Sequence, residues 1–317
     1  MKVELARAAG ALLLALVAGC ATHPRNPDAY SFAVMGDTPY TPAEEGPYHL
    51  LLQQLDTANV AFVIHVGDII SGSGACTDAL YAKRKAEFDA VAHPFIYTPG
   101  DNEWTDCHRA GWDSIERLAA LRKVFFADRK SLGRNPIELA AQDHCLAPDC
   151  HCPAVPENRF WTRGGVRFVT LSVPGSNNNT GRNAVNDAEA ACRQEANFAW
   201  LEQAVHASEN SQTVALVIAL QADPWAPKEP VYEPLLARVR DAAQRLQKPV
   251  LFVHGDSHIY TVDTPFKDAM GNTLARITRL ETYGSPFVGW VEVGVDPDDP
   301  EVFSFKPHLV SVALRKK

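Results

Sequence analysis

Residues 59–72 read NVAFVIHVGDIISG. From Val60 to Val66 the run is apolar and largely β-branched, interrupted only by His65, and it stops at Gly67-Asp68. A short continuous apolar run is the pattern of a parallel strand buried on both faces. Here it carries a carboxylate to the edge of the sheet. The pattern recurs: SFAVMGD ends at Asp37, FIYTPGD at Asp101, ALVIALQAD at Asp223, and VLFVHGDSH at Asp256 and His258. These strand ends are expected to converge on one metal site with Asp68 at its centre.

From Asp37 to Asp68 is 31 residues and from Asp68 to Asp101 is 33, about one βαβ unit each. Helical spacing of apolar residues fills the gaps at Tyr48–Thr57 and Thr77–Ala92, and again at Trp112–Ala127. Successive units of this kind make parallel strands whose carboxyl ends share an edge, where ligands bind in open α/β sheets. Residues 128–156 read as an irregular, cysteine-rich insertion, and NRFWTRGGVRFVTLSV as a hairpin turned at Gly164-Gly165. PGSNNNT places Asn177 and Asn178 at a further strand end, where asparagine is first a turn former. Helices are expected over Asp187–Ala207 and Glu233–Leu246, strands over Thr213–Leu220 and Val250–His254, and short alternating β segments from Ile259 onward. No composition break marks a second domain. The expectation is an α/β fold in a single domain.

The 317 residues are 46% hydrophobic and 21% charged, a soluble globular composition. A net charge of -8 gives no electrostatic footprint for general nucleic-acid binding. It leaves small phosphate substrates open, because bound cations invert the local field. At the start, Lys2 and Arg7 precede a short apolar run over residues 8–19, too short to span a bilayer. The run ends in LVAGC, which resembles the lipobox of bacterial lipoproteins, in which the cysteine, here Cys20, is lipidated. That implies a signal peptide over 1–19, a lipidated N-terminus and polar tether over 20–29, and membrane attachment through lipid on Cys20. Ala21 in place of an aspartate implies the outer membrane, with the protein facing the periplasm.

Seven cysteines less Cys20 leave six, an even number that in an exported chain predicts disulfides. Cys76 and Cys107 follow the Asp68 and Asp101 strand ends, so a bridge between them would tie two loops of the same edge together. The others lie in or near DHCLAPDCHCP or at Cys192. With His144 and His151 that segment carries zinc-ligand residue types, but its spacing departs from the common patterns, and disulfides are expected instead.

Carboxylates gathered at one edge repel and raise one another's pKa unless a cation sits among them. Oxygen-rich ligands with one or two imidazoles suit Mn, Mg, Fe or Zn. A Gly-Asp pair can also simply cap a helix, but three in register followed by GDSH point to a shared site. The order and context of these motifs resemble the calcineurin-like metallophosphoesterase family. GDTPY, GDII, GDNE, LQAD and GDSH take the five motif positions, across about Ser31 to His258.

The resemblance implies a layered β-sheet core flanked by helices, over residues 30–317. It also implies two divalent metal ions and hydrolysis of a phosphomonoester or phosphodiester by metal-activated water. Carried over by position, Asp37, Asp68, Asp101, Gln221, Asp256 and His258 are the metal ligands, with Asp68 bridging; Asp223 could substitute for Gln221 by a small register shift. Asn102 stands where the family has the histidine that assists departure of the alkoxide, Pro39 where it has a ligand histidine, and Asp256 where GHxH has its first histidine. Asp68, Asn102, His108 and His254 are the catalytic candidates, the two histidines as replacement acid–base groups. His65 is expected to be structural. Trp104 and Trp225 line a pocket or cover the sheet edge. The partner implied is a phosphate-containing small molecule or other phosphoester. The competing reading is a catalytically degenerate lipoprotein that binds a metal or phosphate ligand without turnover.

Overall fold

The computed structural model describes residues 26–144, 152–226 and 230–312. The signal-peptide and lipidation readings, with Cys145, Cys150 and His151, fall outside those residues. The chain begins β1 (Tyr30–Met35), α1 (Pro42–Thr57), β2 (Val63–His65), α2 (Asp78–Asp89), β3 (Phe95–Tyr97), α3 (Ser114–Phe125). It continues β4 (Ala140–Gln142), β5 (Val155–Arg163), β6 (Val166–Thr170), α4 (Gly175–Asn178), α5 (Ala184–Ser208), β7 (Ala215–Ala219). It closes with α6 (Glu233–Leu246), β8 (Val250–His254), β9 (Thr261–Asp263), β10 (Ile277–Glu281), β11 (Phe287–Val295) and β12 (Phe303–Val312).

The strands form two sheets, ordered β12-β11-β1-β2-β3 and β4-β5-β6-β7-β8-β10-β9. Phe32, Ile64 and Val291 of the first sheet pack against Phe168, Val217 and Leu251 of the second in one buried core. Outside the first sheet, Tyr48, Leu51, Phe88 and Leu121 bring α1, α2 and α3 onto Ala33, Val63 and Phe95. Outside the second, Trp200, Leu201, Leu236 and Val239 bring α5 and α6 onto Val169, Ile218 and Phe252. The layers run helix, sheet, sheet, helix, and each central strand is apolar on both faces because both are covered.

The βα rhythm holds for β1, β2 and β3, which are parallel neighbours. It does not continue into one sheet. β6, β7 and β8 form a second parallel set across the core, because a chain of buried strands carries no mark of which sheet it joins. The insertion is also more regular than its composition predicts. Phe95 pairs with Leu132 and Lys130 with Glu138, and β4 and the start of β5 lie within it. Backbone pairing satisfied these polar groups where sequence offered only loop residues. The helix over Glu233–Leu246 and the strand over Val250–His254 have the expected bounds.

Two disulfides are present among the described residues. Cys76–Cys107, with Cα atoms 5.8 Å apart, joins the loops after β2 and β3 as expected, and Cys152–Cys192 ties the insertion to α5. Loop-closure entropy over a separation of 31 residues makes the first worth about 3–4 kcal/mol. Replacing both Cys76 and Cys107 by alanine is therefore expected to lower the unfolding free energy by that much, read as a fall in the denaturant midpoint. An unchanged midpoint would mean that the bridge constrains nothing.

Candidate metal centre

The parallel strands of both sheets end at one edge, and backbone hydrogen bonds stitch their loops together. Asp37 N donates to Gly67 O at 3.0 Å and Gly255 N to Gln221 O at 3.0 Å, within each sheet. Asp256 N crosses between the sheets to Asp37 Oδ1, also at 3.0 Å. Asp37, Asp68, Asp256 and His258 all have left-handed backbone, with φ of 52°, 60°, 77° and 70°. Non-glycine residues rarely adopt it, and such conformations gather where a fixed geometry is needed.

Two sets of ligand atoms lie within 4.8 Å of one another: Asp37, Asp68 and His258, and Asp68, Asp101 and Asp256. Asp68 belongs to both. Its Oδ2 accepts from the Tyr40 hydroxyl at 2.7 Å and its Oδ1 from Asn102 N at 3.2 Å. Tyr40 Oη also accepts from Asn102 Nδ2 at 2.8 Å and lies 3.3 Å from His258 Nε2. His258 Nδ1 sits 2.6 Å from Ser285 O, which turns Nε2 toward Asp37 Oδ1 at 3.6 Å. Gly100 is required by this approach: a Cβ there would stand 2.0 Å from Asp68 Oδ1.

Asp101 accepts from Ser176 Oγ at 2.7 Å and from Gln221 Nε2 at 3.0 Å. Gln221 Nε2 also donates to Asp256 Oδ1 at 3.1 Å, while its Oε1 accepts from Gly175 N at 2.6 Å. Gln221 thus presents its amide nitrogen to the carboxylates, and its oxygen is committed elsewhere. Asp223 stands one step outside: its backbone N donates to Asp256 Oδ2 at 3.0 Å, and its carboxylate accepts from Trp225 N and Ser257.

The histidine candidates are not brought to the carboxylates. His254 is buried against Trp225 and Phe252 with Nδ1 on Gly255 O, and burial lowers its pKa to about 4. His108 is exposed on a 3₁₀ turn, beside Thr105 O and Arg182. His65 packs among Phe88, Phe95 and Tyr97, where burial lowers its pKa to about 3. Trp104 is buried under the Arg193 guanidinium. The same arginine fastens the turn carrying Asn177 and Asn178: it donates to Asn178 Oδ1 at 2.6 Å and to Asn178 O at 3.1 Å.

Four residues at the centre were given no role from the sequence. Tyr40 lies three residues after Asp37 in GDTPY, and Glu103 lies beneath the site, accepting from Asp68 N, Gly100 N and Tyr97 Oη. Ser176, at φ 49°, reaches Asp101 Oδ2 and Asp106 Oδ1, both at 2.7 Å. Asp106 is the fourth. The only sequence signal for any of them is proximity to a strand-end motif.

Burial and the neighbouring carboxylates, Asp256 first for Asp37 and Asp101 first for Asp68, hold both pKa values well above the usual range. Burial followed by Asp101 pushes Asp106 up to about 7, and burial pushes Glu281 up to about 7. Asp37 Oδ2 is buried with no hydrogen-bond partner. An orphaned carboxylate oxygen among crowded acids is the environment that a divalent cation satisfies. The donor set fits metal. A third group, Glu45, His49 and Glu87, lies on α1 and α2 and is already paired with Lys83 and Arg84. A cavity of about 780 Å³ opens at the amino ends of β1 and β2, away from the carboxylates.

The raised carboxyl pKa values fix a sign. At these carboxyls the folded, metal-free protein holds more protons than the unfolded chain above about pH 4, so their contribution to stability falls as pH rises. His65 and His254, buried neutral, act in the opposite sense up to about pH 6.5. Asp106 and Glu281 lose their share as pH passes through about 7, and Asp37 and Asp68 extend the loss upward. The melting temperature without metal is expected to drop from about pH 6.5, above which both histidines are mostly neutral in either state, to about pH 8, and Mn²⁺ to restore it at the upper end. A profile unaffected by Mn²⁺ would contradict cation binding at these acids.

No family model and no curated protein matches the chain. Among solved structures it is similar to GAP50, the anchor in the inner membrane complex of Plasmodium. The identity is 12%, over 91% of this chain and 90% of that one, with a TM-score of 0.51. It is also similar to TT1561 of Thermus thermophilus, at 9% identity over 89% and 100% of the chains with a TM-score of 0.48. Vps29 complexed with zinc, from Entamoeba histolytica, matches at 9% identity over 89% and 99%, with a TM-score of 0.29. The likeness to GAP50 shows a shared fold. At these identities the likeness is one of architecture, and the chemistry rests on this chain's own residues. Among the described residues no helix is long and apolar enough to cross a membrane, and the two disulfides suit an oxidising compartment.

Proposed function

We propose that this protein is a divalent-metal-dependent phosphoesterase anchored in the bacterial cell envelope through lipid on Cys20. The observation that carries the reading is the membership of Asp68 in both ligand groups, which is what a carboxylate shared by two cations requires. Asp37, Asp68 and His258 would hold one ion and Asp68, Asp101 and Asp256 the other. Bound there, the cations would supply Lewis-acid polarisation of a phosphoryl oxygen and a lowered pKa for water. The chain's own groups hold the ligands in place. Tyr40, kept a neutral phenol by burial and by Asp68, donates to Asp68, and Ser285 O orients the His258 ring. Gln221 spans Asp101 and Asp256 and limits their repulsion.

One observation favours the alternative, a binding module without turnover. Asn102, at the family's leaving-group position, offers an amide bonded to Tyr40 in place of a titratable group. Loss of a general acid costs about 10²–10⁴-fold in rate. Metal analysis of the purified protein, paired with hydrolysis of p-nitrophenyl phosphate and bis(p-nitrophenyl) phosphate in Mn²⁺, Fe²⁺ or Zn²⁺, separates the two readings. Stoichiometric metal with turnover supports the enzyme, and metal without turnover supports the module. No stoichiometric metal would remove the enzyme and the metal-binding form of the module.

A further inference from the structure

Arg159 belongs to β5 and is 2% exposed. Its guanidinium lies 5.4 Å from the Phe126 ring centre, and Nη2 donates to Asp128 O at 2.8 Å. Nη1 is buried with no hydrogen-bond partner. A guanidinium taken out of water needs both its donors and its charge satisfied. Three carboxylates are near enough for their charge to act on it, Glu157, Asp143 and Asp128. Each is engaged elsewhere. Glu157 accepts from Arg122 Nε at 2.9 Å and Nη2 at 2.7 Å, Asp143 from Arg129 Nε at 2.6 Å, and Asp128 Oδ1 from Lys130 N at 2.8 Å. Burial outweighs all three and lowers the Arg159 pKa.

A cavity of about 10 Å³ adjoins Arg159, walled by Phe95, Tyr97, Phe126 and Leu132. Lys130 also lines it, and among the described residues no carboxylate does. Two cations and an apolar wall make a site for an anion, and the volume admits about one particle of the size of water. A phosphate or a carboxylate ligand is too large. Water would satisfy Nη1 but leave the charge uncompensated, whereas a halide, little larger than water, answers both.

We propose that Arg159 and Lys130 bind a single chloride ion, which clamps the cysteine-rich insertion to β3 and β5. The insertion meets β3 beside this cavity through Phe95 and Leu132, whose two backbone hydrogen bonds are both 2.9 Å. β3 leads to Asp101, so the clamp steadies one strand of the carboxylate edge without touching the carboxylates. Chloride binding here depends on neither metal nor turnover.

Thermal melting of the full-length protein reads the site, with chloride exchanged for gluconate at constant ionic strength. The melting temperature is expected to rise by about 2–4 °C between about 1 and about 300 mM chloride and then to level off. The rise should vanish in Arg159→Met, and Lys130→Met should move its midpoint several-fold toward higher chloride. Crystals of the parent soaked in bromide give a second measurement, an anomalous peak within hydrogen-bond reach of Nη1, which decides the matter if Arg159→Met does not fold. No chloride response in the parent, an equal response in Arg159→Met, or a water in place of bromide beside Nη1 would overturn the proposal.

Discussion

Replacing Asp68 by asparagine is expected to lower phosphoester turnover by at least about 10³-fold and to cut metal content from two ions toward one or none. The amide keeps the shape that Tyr40 Oη and Asn102 N address but removes the charge common to both ligand groups. The same change is expected to stabilise the metal-free protein, because Asp68 is a buried carboxylate facing Asp101, Glu103 and Asp37. Removing one member of a crowded set of like charges relieves the others. Activity and metal-free melting temperature should therefore move in opposite directions. Full metal stoichiometry with unchanged turnover in Asp68→Asn would end the bridging role. A fall in the metal-free melting temperature would show that packing at Asp68 outweighs its charge.

Glu103→Ala is the second large effect. Glu103 is fully buried and accepts hydrogen bonds from Asp68 N, Gly100 N and Tyr97 Oη, while its own carbonyl accepts from Tyr81 Oη. Alanine leaves three buried donors without that acceptor, at a cost of about 3–5 kcal/mol in unfolding free energy. Asp68 is held at its left-handed turn by one of those bonds, so metal affinity should fall with stability, although Glu103 belongs to neither ligand group. Denaturant titration of the metal-free variant measures the first loss, and metal calorimetry the second. A loss below about 1 kcal/mol would mean that water replaces the carboxylate without strain.

The strand ends were legible because they combine two strong signals, a continuous apolar run and an abrupt Gly-Asp. Asp37, Asp68, Asp101, Asp256 and His258 were all found in this way, and the structure brings them together. His108 and His254 were chosen for residue type alone. Which face of a strand end a side chain takes depends on local backbone, and His254 turns into the wall with Trp225. Tyr40, Glu103, Asp106 and Ser176 carry no motif of their own. Their roles come from hydrogen bonds to strand ends as far as 75 residues away in sequence, and no local pattern encodes such a distance.

The sequence by itself determined which segments are buried strands and where their charges emerge. Those outcomes follow from side-chain burial and alternation within a few residues. Only the tertiary structure decided that the strands divide into two sheets and that Asp256 N reaches across to Asp37. It also placed Asp68 in two ligand groups at once. Each of these depends on contacts between distant segments, made when two apolar sheet faces leave water together and carry their polar edges into register.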